Sequence, residues 1–164
     1  MPRPDARDAT LQFFDALAWN WIIAGTDAHA KNYSLLLLGS QVRLAPFYDV
    51  ASALPYGSIP EQKMRLAMKF GGGYLVNPAN SPWMRLASDL QLSEEEIRAR
   101  ATRLVAAAPD SFATAAADPA VRNLDSTLPE RLTDLVAERA ARCAKYLKNS
   151  TTSPSRQPLP GRGY

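Results

Sequence analysis

An apolar stripe along residues 9 to 25 constrains the fold of this chain more than any other sequence feature. Its members recur at intervals of three and four residues, the spacing that places side chains on one face of an α-helix. They are Leu11, Phe14, Leu17, Ala18, Trp21 and Ile22, and Phe13, Trp19 and Ile23 widen the stripe. A helix that is apolar on most sides has to be buried. We therefore predict a central, largely buried helix that is broken at Gly25.

A β-hairpin is predicted directly after this helix. Apolar runs at residues 33–38 and 42–47 flank the pair Gly39 and Ser40. Two short runs joined by a two-residue turn that contains glycine are typical of a hairpin. Pro46 should end the second strand, because proline has no N–H to donate to a sheet ladder.

Residues 49–80 are rich in proline and glycine, and we interpret them as a long loop that holds one strand-like segment. Apolar residues alternate within it at Met64, Leu66, Met68 and Phe70, as they do in a half-buried strand. The three glycines at 71–73 lack the spacing and the lysine of a phosphate-binding loop. We predict a flexible turn there.

The remainder of the folded chain is predicted to form helices. One is predicted from Ser81 to Leu90, one from the capping box at residues 93–96 to about Ala108, and one from Thr127 onwards. The last of these places on one side the residues Leu132, Leu135, Val136, Arg139, Cys143, Tyr146 and Leu147. The predicted fold class is mainly α (α+β), with a small β-hairpin.

Composition predicts where the folded domain ends. The net charge also bears on whether the chain binds nucleic acid. Residues 149–164 contain one aliphatic residue, Leu159, and we expect a disordered basic tail there. The formal net charge of +3 comes from Lys148, Arg156 and Arg162, so the rest of the chain is neutral. This balance does not favour direct binding of nucleic acid.

The absence of several patterns narrows the class of protein. The chain has no apolar run long enough for a membrane span, no secretory pattern at its N-terminus and a single cysteine, Cys143. We therefore expect a cytoplasmic protein with no membrane association. Motifs of serine hydrolases, zinc peptidases and thiol oxidoreductases are also missing.

The residues best suited to chemistry lie in two clusters. The first, at 25–32, contains Asp27, His29, Lys31 and Asn32 and falls between the buried helix and the hairpin. The second, at 44–52, contains Asp49 after the second strand. Because a hairpin turns the chain back on itself, Asp49 should approach Asp27 and Asn32.

Two carboxylates and one carboxamide supply the oxygen ligands that Mg²⁺ prefers, and Mg²⁺ takes its other ligands from water and phosphate. Asp27 and Asn32 stand five positions apart, the interval between the catalytic aspartate and the metal-binding asparagine of the protein-kinase catalytic loop. A structural alternative stays open for both acids, since Asp27 and Asp49 would also suit turn capping.

These residues resemble a known family. Residues 14–34 and the segment 44–52 resemble the catalytic segment and the metal-binding aspartate motif of HipA-like serine/threonine kinases, the toxins of bacterial toxin-antitoxin pairs. The stretch 66–72 and the helices that follow are similar to the C-terminal lobe of that family. The resemblance covers residues 9–148, with residues 1–8 as an N-terminal extension and 149–164 as the tail.

The resemblance implies a role for each site residue. Asp27 would be the catalytic base, and Asn32 and Asp49 would bind the Mg²⁺ that accompanies ATP. Lys31 is either solvated or in contact with the transferred phosphate. We expect His29 to make a structural hydrogen bond rather than to act in catalysis.

Family members have two lobes and are more than twice this length, and their N-terminal part supplies the loop that covers the phosphates. The resemblance therefore implies a lobe of a HipA-type kinase that phosphorylates a protein hydroxyl in a toxin-antitoxin system and is incomplete without an N-terminal lobe. The alternative is a non-catalytic HipA-like interaction module. Such a module would bind an antitoxin or a separately encoded N-terminal lobe.

Overall fold

A long helix, α1 (Pro4–Ile23), passes through the centre of the protein. The computed structural model of the chain describes residues 4–39, 41–57, 60–77 and 82–149. Helix α1 begins five residues before the predicted start, since a proline is well suited to the first helical position. It ends at Ile23, because Ala24 adopts a left-handed backbone with φ of 53°.

The predicted burial of this helix is confirmed. Phe14, Ala18, Trp21 and Ile22 are fully buried. Trp21 stacks on Phe70 with ring centroids 5.3 Å apart and meets Trp83 edge to face at 5.6 Å. These aromatic contacts join α1 to two segments that follow it by about fifty residues or more.

The predicted hairpin is confirmed as the antiparallel pair β1 (Leu35–Leu38) and β2 (Gln41–Leu44). Leu35 lies opposite Leu44, and Leu38 lies opposite Gln41. Strand β2 ends before Pro46, as expected. Of the two turn residues, Gly39 has φ of +61°, and Ser40 lies outside the described residues.

A second hairpin follows, of which the sequence predicted only the first strand. Strand β3 (Arg65–Phe70) is the expected alternating segment, and it pairs with β4 (Gly73–Leu75). Gly71 and Gly72 form the turn with φ values of +62° and +92°. A Cβ at Gly71 would lie 2.0 Å from Cβ of Pro82, so this turn also requires glycine for space.

Four helices complete the described chain: α2 (Trp83–Leu90), α3 (Glu94–Ala116), α4 (Pro119–Arg122) and α5 (Leu128–Asn149). Ser93 caps α3, and its Oγ accepts a hydrogen bond of 3.1 Å from the N–H of Glu96. The predicted end of α3 near Ala108 is wrong. The helix continues through Pro109 within an alanine-rich stretch, because alanine has the highest helix propensity.

Helix α5 packs along α3 and also contacts α1. Val136, Arg139, Cys143 and Leu147 are buried on the predicted side of α5. The fold is therefore mainly helical, as the sequence predicted, with two small antiparallel hairpins where the sequence predicted one.

The predicted domain division stays a prediction. Residues 4–8 of the predicted N-terminal extension belong to α1, whereas residues 1–3 and 150–164, including nearly all of the predicted tail, lie outside the described residues. Ser81, the predicted first residue of the second helix, also lies outside them.

Within the described ranges, none of the helices combines the length and the apolar character needed to cross a bilayer.

Candidate active site

The site is built at the C-terminal end of α1, where the chain leaves the core. The N–H of Gly25 bonds to the carbonyl of Asn20 over 2.7 Å, and this contact closes the last turn. A Cβ at Gly25 would lie 2.4 Å from Oδ1 of Asn20. A larger residue at position 25 would therefore require the Asn20 side chain to move.

Asn32 and Asp49 are in direct contact. The Asn32 side chain is buried at the end of a short 3-10 turn (Ala30–Asn32). Its Nδ2 donates a hydrogen bond of 2.6 Å to Oδ2 of Asp49, and its Oδ1 accepts one of 3.1 Å from the N–H of His29. The structure thus brings together the two predicted magnesium ligands from opposite ends of the first hairpin.

Asp49 has a strained backbone. Its φ of 56° lies in the left-handed region, which a non-glycine residue adopts at a cost of about 1 to 3 kcal/mol. Aspartate is among the side chains that tolerate this conformation best. Strain of this kind persists where the surrounding structure imposes it, and it is common at functional sites.

The remaining charged or titratable residues of the first cluster are exposed, as Asp49 is. Asp27, His29 and Lys31 all lie on the surface of the loop between α1 and β1. The carbonyl of Asp27 accepts a 2.8 Å hydrogen bond from the N–H of His29, which fixes the backbone of this loop. A close approach of the Asp27 carboxylate to the Asn32 and Asp49 pair stays a prediction.

The donor atoms suit a hard cation that keeps part of its water shell. Asp49 offers a carboxylate, and Oδ1 of Asn32 has a second lone pair besides the one that His29 engages. Within the described residues no cluster of three His, Cys, Asp or Glu side chains is present. Two protein oxygen donors with open positions fit Mg²⁺ held together with a phosphate better than they fit a metal enclosed by protein ligands.

A comparison with known protein families shows which family this chain belongs to. The family described as "HipA-like C-terminal domain" matches residues 1–112, more than half of the chain and all of the candidate site. The chain belongs to this family. The resemblance predicted from residues 14–34 and 44–52 is therefore confirmed.

Individual relatives agree with this membership. The chain is 30% identical over 141 residues to the protein named "Putative kinase Y4mE" of Sinorhizobium fredii strain NGR234, and the match covers 84% of this chain and 33% of that protein. It also shares the fold of HipA from Shewanella oneidensis MR-1, solved with HipB and operator DNA. That likeness has a TM-score of 0.71 at 16% identity and covers 92% of this chain and 37% of that one.

The chain therefore spans about a third of the length of the relatives it matches.

Hydrogen bonds join the two clusters of this HipA-like domain beyond the contact of Asn32 with Asp49. Oη of Tyr48 donates to the carbonyl of Lys31 over 2.8 Å and lies 2.8 Å from Oγ of Ser34. Oγ of Ser52 donates to the carbonyl of Ile23 over 2.6 Å. Tyr48 and Ser52 stand in the second cluster, but nothing in the sequence showed that the hydroxyl of Tyr48 binds the first cluster and that of Ser52 binds the end of α1.

Asn20 links α1 to Tyr33, near the end of the loop between α1 and β1. Its Nδ2 donates to the carbonyl of Ala16 over 3.0 Å and to Oη of Tyr33 over 3.3 Å. Burial raises the pKa of Tyr33, and the hydrogen bond from Asn20 opposes this in part. The phenol therefore stays neutral and holds the loop ends together at physiological pH.

Arg139 of α5 binds the C-terminal end of α1. Its guanidinium is 1% exposed and donates to the carbonyls of Trp21 over 2.7 Å and of Val76 over 2.9 Å. It also forms an ion pair with Glu61, which Arg142 shares. A cation at the C-terminal end of a helix stabilises it. Sequence reasoning placed Arg139 on the buried side of α5 without finding this contact.

Proposed function

We propose that this HipA-like domain is the part of a serine/threonine protein kinase that carries the catalytic base and the magnesium ligands. The contact of Asn32 with Asp49 supports this most directly, because it joins an amide and a carboxylate at the loop that also carries the exposed Asp27. The kinase name of the Sinorhizobium relative agrees with the proposal.

Each residue has a defined part in this proposal. Asp49 and Asn32 hold Mg²⁺ bound to ATP, and the cation neutralises charge that develops on the phosphates during transfer. Asp27 accepts the proton of the attacking serine or threonine hydroxyl. Lys31 contacts the transferred phosphate. It stands between His29 and Asn32 in the same loop.

The proposed activity requires more than this domain. Phosphoryl transfer depends on positioning and on charge stabilisation around all of the phosphates. Only two magnesium ligands and one base come from the described residues. We propose that the remaining portion found in the longer relatives completes the kinase, whether it is joined to this chain or supplied by another.

The biological setting is part of the same proposal. The Shewanella neighbour was solved with its antitoxin HipB, and we propose a protein of that class as a partner of this chain, with a second protein as the substrate. We propose the cytoplasm as the location, since ATP is available there and the buried Cys143 is a free thiol.

A second candidate function is a non-catalytic interaction module. The observation that favours it is the apolar surface of the first hairpin, where all four residues of β1 are exposed. Such a module would keep the shape of the domain and bind a partner without transferring phosphate.

Thermal unfolding with Mg²⁺ and ATP tests the metal site. Ligand binding to the native state raises the melting temperature. We expect a rise for the wild type and none for Asp49→Ala, whereas Asp125→Ala should respond like the wild type. Asp125 is a matched control because it also has positive φ, 48°. Equal responses of both variants would contradict the assignment of Asp49.

Phosphate transfer tests the base. The chain is joined to the portion of the Sinorhizobium relative that lies outside the matched third, and incorporation of labelled phosphate into protein is measured. Asp27→Asn should abolish transfer while it leaves the Mg²⁺-ATP response intact. Transfer at the wild-type rate by Asp27→Asn would remove Asp27 from the role of base. A normal Mg²⁺-ATP response without transfer by the wild type would favour the interaction module.

A further inference from the structure

The second hairpin carries a cluster of three cations at its surface. Lys63 precedes β3, and Arg65 and Lys69 lie on the exposed face of that strand, where exposed residues alternate with buried or half-buried ones. The one acid at residues 60–77, Glu61, is engaged by two arginines of α5. Within the described part of the chain, none of the three cations forms an ion pair. Their charge is therefore available to a partner.

Tyr74 of β4 brings two of these cations together. The guanidinium carbon of Arg65 lies 5.8 Å from the centroid of the Tyr74 ring, and Nζ of Lys69 lies 5.7 Å from it. A cation at this distance is attracted by the quadrupole of the ring. The two charged groups thus converge on one point of the surface, and they lose less conformational freedom when an anion binds. We call Lys63, Arg65, Lys69 and Tyr74 the basic face.

The strand beneath the basic face is held firmly by the core. Leu66 and Phe70 are buried on its opposite side. Phe70 stacks on Trp21 of α1 and meets Trp83 edge to face with ring centroids 5.8 Å apart. Binding groups on a packed strand are positioned more precisely than groups on a loop. The cations of β3 are therefore in place before a partner arrives.

We propose that the basic face docks an acidic segment of a partner protein, whose Asp or Glu carboxylates bind Arg65 and Lys69. Complementary charge across an interface speeds encounter and excludes wrong partners. Nucleic acid fits this face less well, because base stacking needs an open aromatic ring and two cations lie over the ring of Tyr74. Residues 1–147 are also formally neutral, so the basic face is a local feature rather than part of a broad positive surface.

This docking goes beyond the proposed kinase activity and does not depend on it. The contacts are made by side chains of the second hairpin, whereas the proposed magnesium ligands lie at the two ends of the first hairpin. No nucleotide or metal takes part in them. A variant that loses the response to Mg²⁺ and ATP should therefore still bind an acidic segment.

Binding of two fluorescent peptides by the whole chain tests the proposal. One peptide contains several glutamates, and the other has glutamine at the same positions. Fluorescence anisotropy at low ionic strength measures the affinity of both peptides for the wild type and for the double variant Arg65→Gln/Lys69→Gln. The matched control is Arg103→Gln/Arg131→Gln, which removes the same charge from exposed positions on α3 and α5. A thermal melt of each variant checks that it is folded, and the comparison of the two peptides on the wild type needs no variant.

We expect the wild type and the control to bind the glutamate peptide about tenfold more tightly than the glutamine peptide, because several charge-assisted contacts act together. The double variant should reduce this preference to less than about twofold, whereas Asp49→Ala should keep it. Equal binding of the two peptides by the wild type, or a full preference in the double variant, would overturn the proposal. Tighter binding of a single-stranded oligonucleotide than of the glutamate peptide, lost in the double variant, would assign the basic face to nucleic acid and would also overturn it.

Discussion

The carboxamide of Asn32 donates a 2.6 Å hydrogen bond to the carboxylate of Asp49, although 17 positions separate the two residues in the chain. The first hairpin makes this contact possible, because its antiparallel strands return the chain to the place where it left α1. The bond holds the Asp49 carboxylate beside the loop that carries Asp27. The first prediction concerns how this hydrogen bond and the strained backbone of Asp49 affect the free energy of unfolding.

Two substitutions of Asp49 should separate backbone strain from chemistry. Asp49→Asn keeps a hydrogen-bond acceptor and a side chain that tolerates positive φ, so the free energy of unfolding should change by less than about 1 kcal/mol. Asp49→Leu should lose about 1 to 3 kcal/mol, because leucine is strained at this φ and cannot accept the bond from Asn32. Urea denaturation without nucleotide measures both. Equal losses would show that this backbone conformation carries no cost.

Arg139 should be far more important for stability than its neighbour Arg142. Both pair with Glu61, but Arg139 is buried whereas the Arg142 side chain is 44% exposed. Arg139→Met leaves the carbonyls of Trp21 and Val76 without their donor and removes one of the two guanidinium partners of Glu61, and we expect a loss of about 3 to 5 kcal/mol. Arg142→Met should cost less than about 1 kcal/mol. Chemical denaturation measures both, and similar losses would contradict the anchoring role of Arg139.

The glycines of the two hairpins should tolerate replacement by alanine to different degrees, according to the backbone conformation and the free space at each position. Gly73→Ala should cost little, because its Cβ meets nothing within 4 Å. Gly39→Ala adds the strain of positive φ, at about 1 kcal/mol. Gly71→Ala adds to that strain a contact of 2.0 Å with Pro82, so we expect the largest drop in melting temperature of the three. Any other order would show that Pro82 moves aside easily.

The single cysteine should make stability depend on pH above about 9. Burial raises the pKa of Cys143 from 9.0 to about 11. Between these values the unfolded chain loses a proton that the folded chain retains, so stability falls as pH rises, by about 1.4 kcal/mol for each unit of pKa difference. Cys143→Ala should lack this part of the slope. Unfolding free energies measured from pH 8 to 11 test it, and identical slopes would contradict a protonated buried thiol.

Local patterns in the sequence determined which segments form regular structure. The spacing of apolar residues predicted α1 and its burial, and the runs around Gly39 predicted the first hairpin. The same reading could not place the start of α1 or the passage of α3 through Pro109. The local conformational preferences that set helix ends, and the local cost of a proline inside a helix, are small enough for tertiary packing to outweigh them. Strand β4 has three residues and was missed, because so short a segment shows no alternation.

The sequence alone also determined which residues are candidates for chemistry, since an acid, an amide and a second acid in two short clusters are unusual in plain turns. Only the tertiary structure decided that Asn32 contacts Asp49 and that Asp49 is strained. It alone revealed Arg139, which reaches the carbonyl of Trp21 across 118 positions of sequence. The physical reason is that periodicity depends on neighbours along the chain, whereas contacts between distant segments depend on how the helices and hairpins pack together.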